Sequence, residues 1–367
     1  MPSLKLIRTA TIPTSLNIFC RGMLRELSKT YEVIALSSPG EELKNISEQE
    51  GVRTIGVPME RRIAPHKDFM SLIRLVRVFK KERPDIVHSM TPKAGLLCMV
   101  AARLARVPIR IHTFTGLVFP TSTGLKKRIL MLTDKITCAC ATHILPEGEG
   151  VKNDLENYRI TDKPMHVLGF GNVRGVDMDY YTPKHEKHDP FRFLFIGRIV
   201  KDKGINELVQ AFIQLPENVE LWLVGDLEPS DPINEQTRQI IRQDSRIHLH
   251  PFANDVRPYF NQADCLVLPS YREGFPNVVL EAGAIELPCI VTDINGSREI
   301  IADHINGLII PPKAIEPLQQ AMQYMIDHPQ EAQQMGVTAR PLIAQKFEQS
   351  FVRQCLYNYY EEITHAI

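Results

Sequence analysis

The sequence has no apolar run long enough to cross a lipid bilayer. A membrane-spanning helix needs about 18 or more consecutive apolar residues, and no such run occurs among the 367 residues. The apolar stretch at the start is too short for a secretory signal, and Arg8 and Pro13 interrupt it. We therefore expect a protein that stays in the cytoplasm.

Cysteine is sparse and scattered. Of the seven cysteines, only Cys138 and Cys140 are close together, and a C-x-C pair without other nearby ligands is not a zinc signature. Most of the cysteines lie within apolar runs, where small buried thiols in a reducing compartment are common. We expect buried thiols and no metal site.

Net charge is also lacking, because 43 Lys and Arg residues balance 43 Asp and Glu residues. The balance hides an asymmetry: residues 1–180 contain 27 basic and 18 acidic residues (net +9), whereas residues 181–367 contain 16 and 25 (net −9). A basic half indicates contact with something anionic, such as a phosphorylated acceptor, an anionic membrane surface or a nucleic acid. The alternative is that the two halves attract each other.

Short β-branched runs alternate with helical periodicities along the chain. Between residues 68 and 83, Phe69 and Leu72 fall on one helical face and the basic residues Arg74, Arg77 and Lys81 on the other. Strands are predicted at residues 4–10, 32–37, 52–57, 85–89, 109–114 and 142–145, and again at 191–196, 219–224, 247–250, 265–268, 289–292 and 307–310. Further helices are predicted at residues 203–214, 255–262, 277–286 and 348–364. This alternation favours parallel sheets with helices on both faces.

A polar segment with two prolines, at residues 181–190, interrupts the alternation once. Its composition is typical of an interdomain linker, and the chain length suits two domains of ~100–200 residues. We predict an α/β protein with two doubly wound, Rossmann-like domains at residues 1–181 and 182–347, and a C-terminal helix at 348–367 that packs back across their junction. Ligands of such sheets bind at the carboxyl ends of the strands, so we expect the domains to face a central cleft.

A glycine and two basic residues follow the strand predicted at residues 191–196. Gly197 lets the backbone approach a ligand closely, and Arg198 and Lys203 place two cations at the carboxyl end of the strand. A bidentate arginine together with a lysine is well suited to bind a diphosphate. The alternative is that both side chains are simply solvated.

Two glutamates, Glu273 and Glu281, are separated by seven residues. A loop with Gly274 and Pro276 leads into a predicted helix, whose first N–H groups can hold anionic or hydroxyl oxygens. Carboxylates accept hydrogen bonds from sugar and ribose hydroxyls. Apolar residues surround Glu281 on almost all sides, which disfavours the alternative of an ordinary surface glutamate.

Together these segments resemble the retaining GT-B glycosyltransferases of family 4. The matching elements are Gly197-Arg198 with Lys203-Gly204, Val224-Gly225-Asp226, Pro269-Ser270 with Glu273 to Asn277 and Glu281, Gly296 with Glu299, and Asn306-Gly307. They cover most of residues 191–310 in the family's order. The first half is similar to the bacterial branch that builds capsular, lipopolysaccharide or protein-linked glycans, through looser motifs at residues 37–40, 57–61, 86–95, 113–117 and 172–177.

The resemblance implies roles for individual residues. Arg198 and Lys203 would hold the donor diphosphate and stabilise it as it leaves, at ~2.7–4 kcal/mol per good donor, without a metal ion or another cofactor. Glu281 would bind the ribose hydroxyls of the nucleotide-sugar co-substrate, and Glu273 its sugar. The implied donor-binding residues are Gly197, Arg198, Lys203, Gly225, Asn254, Glu273, Gly274, Phe275, Pro276, Asn277 and Glu281, and the implied catalytic residues are Glu273, Arg198, Lys203 and His112.

Two loops of the first half depart from the family pattern. Many relatives carry a Gly-Gly pair where this chain has Thr14-Ser15, and His-Gly or His-Asp where it has Thr115-Gly116. His112, in the predicted strand that precedes Thr115-Gly116, is therefore the candidate for the catalytic contact. The alternative is that His112 is a histidine of the core or the cleft wall. The acceptor-binding candidates are Ser15, Arg61, Arg62, Lys93, Thr115 and Gly116.

The resemblance implies transfer, with retention, of a hexose or an N-acetylated amino sugar from a nucleotide-sugar, with UDP as the expected carrier. The implied acceptor is a glycan or a polyprenyl-diphosphate-linked glycan, and no nucleic acid partner is expected. The basic and apolar stretch at residues 124–132 then predicts peripheral contact with the inner face of the cytoplasmic membrane, at ~1 kcal/mol per basic residue near anionic lipids. An ordinary solvated helix face is the alternative. Competing interpretations are a UDP-sugar epimerase, a phosphorylase, a sugar-binding module and a degenerate nucleotide-sugar-binding protein.

Overall fold

The chain folds into two compact units. The structure is a computed structural model that describes residues 3–61, 64–184, 189–229 and 231–365. The first unit contains the chain up to Arg174 together with the segment from Val352 onwards, and the second unit is Gly175–Phe351. Part of the linker predicted at residues 181–190 lies outside the described residues.

The first unit contains a six-stranded parallel sheet in the order β3-β2-β1-β4-β5-β6. Its strands are β1 (Lys5–Thr9), β2 (Glu32–Ser37), β3 (Arg53–Gly56), β4 (Ile86–Met90), β5 (Ile109–Phe114) and β6 (His143–Pro146). Its helices before residue 175 are α1 (Pro13–Cys20), α2 (Met23–Leu27), α3 (Glu41–Glu50), α4 (Pro65–Glu82), α5 (Pro92–Leu104), α6 (Gly124–Cys140) and α7 (Glu149–Asn157).

The second unit repeats this topology in a sheet ordered β12-β11-β10-β7-β8-β9. Its strands are β7 (Phe191–Ile196), β8 (Val219–Val224), β9 (Ile247–His250), β10 (Cys265–Leu268), β11 (Cys289–Thr292) and β12 (Leu308–Ile310). A 3-10 turn (Lys201–Lys203) precedes α8 (Ile205–Phe212), followed by α9 (Glu235–Gln243), α10 (Arg257–Asn261), α11 (Asn277–Ala284), α12 (Ser297–Ile300), α13 (Ile315–Asp327) and α14 (Pro329–Phe347).

Both sheets are buried on two faces, which explains their sequence pattern. Strands such as β10 and β11 have every residue buried, because helices cover both sides of a doubly wound sheet and leave no face for polar side chains. Five of the six strands of the second unit have the bounds that the sequence predicts, and the sixth starts one residue later. The prediction of a two-domain Rossmann-like α/β fold is confirmed.

The C-terminal helix α15 (Gln349–Thr364) packs on the first unit from Val352 onwards. Arg353 forms an ion pair with Glu26 at 3.0 Å, and the Tyr357 hydroxyl donates to the other carboxylate oxygen of Glu26 at 2.8 Å. Deeper in the unit, Tyr360 is fully buried against β1 and β4. The end of the chain is thus part of the first unit's core.

No helix within the described ranges has both the length and the apolar character that spanning a membrane requires.

Candidate active site

The strand order of the second unit marks one place for a ligand. The chain passes from β7 to β8 and β9 on one side and resumes with β10 on the other side of β7. The connections that leave the carboxyl ends of β7 and β10 therefore run in opposite directions and open a crevice, where ligands of such sheets bind. These two loops carry Arg198 with Lys203, and Glu273 with the residues up to Asn277.

Glycines bring the backbone of this crevice together. Gly225 has φ 146°, and a Cβ there would collide with the carbonyl oxygen of Gly197. Gly204 has φ 71°, and a Cβ there would collide with the carbonyl oxygen of Pro269. Only glycine satisfies both demands, the close approach and the left-handed φ. The loops after β7, β8 and β10 therefore lie in direct backbone contact.

Arg198 and Lys203 are each held by a carboxylate. Arg198 donates from a terminal guanidinium nitrogen to Oε2 of Glu228 at 2.9 Å. Lys203 forms a short ion pair with Glu273, and both side chains are mostly buried. The structure therefore brings together Arg198, Lys203 and Glu273 within two adjoining loops, as the sequence predicts for a site that binds an anionic ligand.

Residues at the end of β11 and in the turn that follows it contact the loop after β10. The hydroxyl of Thr292 donates to the carbonyl of Ser270 at 2.5 Å. A Cβ on Gly296 would collide with the carbonyl of Gly274 and crowd Pro276, so Gly296 lies directly against this loop. Glu299 in turn accepts from the Gly296 N–H at 3.1 Å. These contacts give the Gly296 and Glu299 motif a structural role in supporting the loop.

Helix α11 begins at Asn277, so Pro276 occupies the residue before its first turn. Phe275 is buried, with its ring 5.2 Å from that of Phe347. Glu281 lies in the second turn with only 8% of its surface exposed, which agrees with the sequence argument against a surface glutamate. Asn254 is different, because it lies exposed in the loop between β9 and α10.

The first unit has the corresponding crevice between β1 and β4. There the hydroxyls of Thr11 and Thr91 are hydrogen-bonded at 2.9 Å, and Thr91 precedes the first residue of α5. Lys93, in the first turn of α5, forms an ion pair with Asp68 at 2.8 Å. Ser15 is half-buried in α1, the helix that follows β1. Lys93 and Ser15 thus both follow strands that border the crevice.

The remaining acceptor candidates are less well defined. Thr115 and Gly116 directly follow β5, and Gly116 has φ 112°. Arg61 is exposed beyond the end of β3, and Arg62 lies outside the described residues.

His112 lies in the core of the first unit. Only 1% of its surface is exposed, Nδ1 is 2.9 Å from the Ser89 hydroxyl, and a Cβ on Gly95 would collide with its ring. Burial lowers the pKa of His112 to about 3, so the ring is neutral at physiological pH. The ring is covered by α5, which fits the alternative of a core histidine; a catalytic contact of His112 stays a prediction.

Sequence reasoning missed a buried polar cluster around Arg8. This arginine has 1% of its surface exposed and contacts His88 Nδ1 at 2.5 Å and the Tyr360 hydroxyl at 2.7 Å. His88 Nε2 lies 2.6 Å from the Thr113 hydroxyl. Burial and the neighbouring charge of Arg8 hold the pKa of His88 well below its usual value. Arg8 lies in an apolar strand, and Tyr360 is 352 positions away, so no local pattern indicates their contact.

Comparison with known proteins identifies the family. Residues 16–171 match the family model described as "Glycosyl transferase 4-like domain", and residues 179–341 match "Glycosyl transferases group 1". The chain is 31% identical to the capsular polysaccharide biosynthesis glycosyltransferase CapM of Staphylococcus aureus, over 98% of this chain and 97% of that protein. It is 30% identical to the Escherichia coli UDP-Gal:α-D-GlcNAc-diphosphoundecaprenol α-1,3-galactosyltransferase, over 76% of each chain.

Solved structures show the same fold at lower identity. The Anabaena protein HepE in complex with UDP superposes with a TM-score of 0.79 at 15% identity, covering 98% of this chain and 100% of that one. Sucrose-phosphate synthase from Thermosynechococcus elongatus superposes with a TM-score of 0.82 at 18% identity, covering 99% and 100%. Together with the near full-length match to a capsule enzyme, these findings show that the chain belongs to the GT-B glycosyltransferases of the branch that builds bacterial surface polysaccharides.

Proposed function

We propose that this glycosyltransferase moves a hexose or an N-acetylated amino sugar from a UDP-sugar to a glycan or polyprenyl-diphosphate-linked acceptor, with retention at the anomeric carbon. The observation that carries the proposal is the pairing of Arg198 and Lys203 with carboxylates at the crevice beside β7. Two relatives whose names specify a diphosphoundecaprenol-linked acceptor, from Escherichia coli and Campylobacter jejuni, support the acceptor class. The complexes of HepE with UDP and UDP-glucose support the donor class.

In this proposal the second unit binds the donor. Arg198 and Lys203 hold the diphosphate and neutralise the charge that develops on it as the glycosidic bond to the sugar breaks. The N–H groups at the start of α11 and the loop from Gly274 to Asn277 hold donor oxygens. Glu281 accepts hydrogen bonds from the ribose hydroxyls, and Glu273 accepts from the sugar once Lys203 has turned to the phosphate. Gly197, Gly225 and Asn254 complete the donor site.

The first unit binds the acceptor. Ser15, Lys93, Thr115 and Gly116 follow three strands whose carboxyl ends lie at one edge of the sheet, and Lys93 supplies a cation for an acceptor phosphate. Arg61 is proposed as a second cation for the same phosphate. The reaction needs no metal ion, so we expect full activity in excess EDTA; a loss of activity that Mg²⁺ restores would contradict this part.

Nucleotide binding tests the donor site directly. We expect UDP to raise the melting temperature of the protein more than GDP or ADP does, because a ligand at a hundred times its dissociation constant adds about 2.7 kcal/mol of stability. Arg198→Ala and Glu281→Ala should fold normally and lose most of this stabilisation. Failure of every nucleoside diphosphate to stabilise the wild type, or unchanged stabilisation in both variants, would refute the donor site. Product analysis with a UDP-sugar and a lipid-diphosphate acceptor then separates transfer from epimerisation, which needs no acceptor.

The outer face of α6 supports a peripheral membrane contact. Its exposed apolar side chains Leu125, Ile129, Leu132 and Ile136 are spaced as one helical stripe, with 38–72% of their surfaces exposed. The helix also exposes Lys126, Arg128 and Lys135, whereas its one acidic residue, Asp134, is buried. An apolar stripe with only basic charges beside it fits an anionic lipid surface.

Flotation with liposomes tests this contact. The wild type should float with anionic vesicles at low salt and less at high salt, because salt screens the attraction to anionic headgroups. It should not float with zwitterionic vesicles, which carry no net charge. Leu125→Ser/Leu132→Ser should abolish flotation while leaving UDP binding unchanged. The matched control is Leu249→Ser, an exposed leucine of the second unit, which should float as the wild type does. Absence of flotation at low salt would refute the contact.

A further inference from the structure

Glu228 forms an ion pair with Arg198, and backbone contacts between the two loops hold these residues side by side. The N–H of Gly197 donates to the carbonyl of Val224 at 3.0 Å, and the N–H of Ile199 donates to that of Asp226 at 2.9 Å. Ile199 and Leu227 form a parallel bridge. The two loops therefore run side by side beyond the ends of β7 and β8, and they present Arg198 and Glu228 to each other. The pairing follows from the path of the backbone, not from a chance meeting of two long side chains.

The two cations proposed to hold the diphosphate are each paired before any ligand binds. Arg198 is held by Glu228 and Lys203 by Glu273, and Arg272 of the loop after β10 pairs separately with Asp202. A nucleoside diphosphate brings at least two negative charges, and its net gain from each cation is the new interaction minus the ion pair that the cation gives up. Glu273 has its own part in the proposed reaction, because it turns to the donor sugar. Glu228 has no such part, and it still lies beside Arg198 when the phosphate arrives.

We propose that Glu228 competes with the donor diphosphate for Arg198, and so lowers the affinity of the site for the nucleotide and speeds release of the nucleoside diphosphate product. This inference rests on the proposed function of Arg198. When the diphosphate leaves, the guanidinium returns to Glu228, so it is never without a partner. The pair is only partly exposed, with 42% of the Arg198 side chain and 24% of the Glu228 side chain accessible. The competition is therefore stronger than between fully solvated side chains.

The test is the affinity for UDP, UMP and uridine in Glu228→Gln, measured by calorimetry. Glutamine keeps the shape of glutamate and removes its charge. We expect UDP to bind about two- to fivefold more tightly than to the wild type, in the range of a partly exposed ion pair, UMP by less, and uridine equally. Inhibition of turnover by added UDP should strengthen by the same factor. The matched control is Glu235→Gln, which removes a carboxylate paired with Arg238 in the same unit and should change none of these affinities.

A double variant assigns the effect to Arg198. In the Arg198→Ala background, Glu228→Gln should no longer tighten UDP binding, because no guanidinium is left to release. Unchanged or weaker UDP binding in Glu228→Gln would overturn the inference, and so would an equal gain in the Arg198→Ala background. Failure of the wild type to bind any nucleoside diphosphate would instead overturn the proposed function, so the two failures are distinguishable.

Discussion

Replacing Tyr360 by phenylalanine removes a single oxygen atom from the fully buried cluster around Arg8. Arginine can only donate, and its terminal nitrogen contacts His88 Nδ1 at 2.5 Å. Nδ1 is therefore the acceptor of the ring, and the proton of the neutral imidazole is on Nε2, which donates to Thr113 at 2.6 Å. The Tyr360 hydroxyl then accepts from Arg8 at 2.7 Å, and its proton points to His88 Nδ1 at 2.6 Å, where it shares the one lone pair of that nitrogen with Arg8.

The expected loss follows from these two hydrogen bonds. A bond from a charged donor contributes about 1.5–3 kcal/mol and a neutral one about 0.5–1.5 kcal/mol, and the buried guanidinium has no water to replace its lost acceptor. Phenylalanine fills nearly the same volume, so the packing changes little. We expect Tyr360→Phe to destabilise the first unit by about 2–4 kcal/mol.

Hydrogen exchange measures this loss where it occurs. Because two units can unfold separately, amide exchange of β1 and α15 reports on the first unit alone. The matched control is Tyr357→Phe, which removes a hydroxyl on the same helix that donates to the Glu26 carboxylate at a half-buried position, and which should cost about 1.5 kcal/mol. A loss for Tyr360→Phe no larger than that of the control would refute the reasoning.

Three further predictions follow from single sites. Gly204→Ala should weaken UDP binding and lower the melting temperature, because a Cβ there adds about 1–2 kcal/mol of left-handed strain and collides with the Pro269 carbonyl; unchanged binding and melting would contradict this. His112, with its pKa lowered to about 3, stays neutral when the unfolded chain takes a proton below about pH 6.5. The first unit should therefore lose about 1.4 kcal/mol of stability per pH unit from this group as pH falls below that value, and His112→Asn should flatten the slope in denaturation at about pH 5 and 7. Asp134 has the opposite pH dependence. Burial raises its pKa to about 7, so its contribution to the free energy of unfolding falls as pH rises from about 4 to 7. Asp134→Asn should stabilise at pH 8 by on the order of 4 kcal/mol and little at pH 4, and equal effects at both would exclude an ionised, buried carboxylate.

The positions of the residues proposed to bind the donor could be predicted from the sequence, because they depend on short stretches of chain. Gly197 and Arg198 follow a strand whose bounds the sequence indicates, and in a parallel sheet the carboxyl ends of all strands lie at one edge. The same reasoning places Glu273 after β10. Glu281 was also predictable as buried, since its neighbours along the helix are apolar.

The partners of these residues depend on contacts between distant segments. Glu228 lies 30 positions after Arg198 and reaches it only because β8 pairs in register with β7. His112 has the spacing of a site residue, yet Gly95 lets α5 approach closely enough to cover it.

The sequence by itself determined the alternation of strands and helices, the edge of each sheet at which the motifs lie, and the family, because each depends on residues within about ten positions of one another or on motifs in a fixed order. The tertiary structure decided which carboxylate holds Arg198, that His112 is a core residue, and that the end of the chain closes over Arg8 through Tyr360. These outcomes depend on strand register and helix packing, which bring together side chains that no local pattern connects.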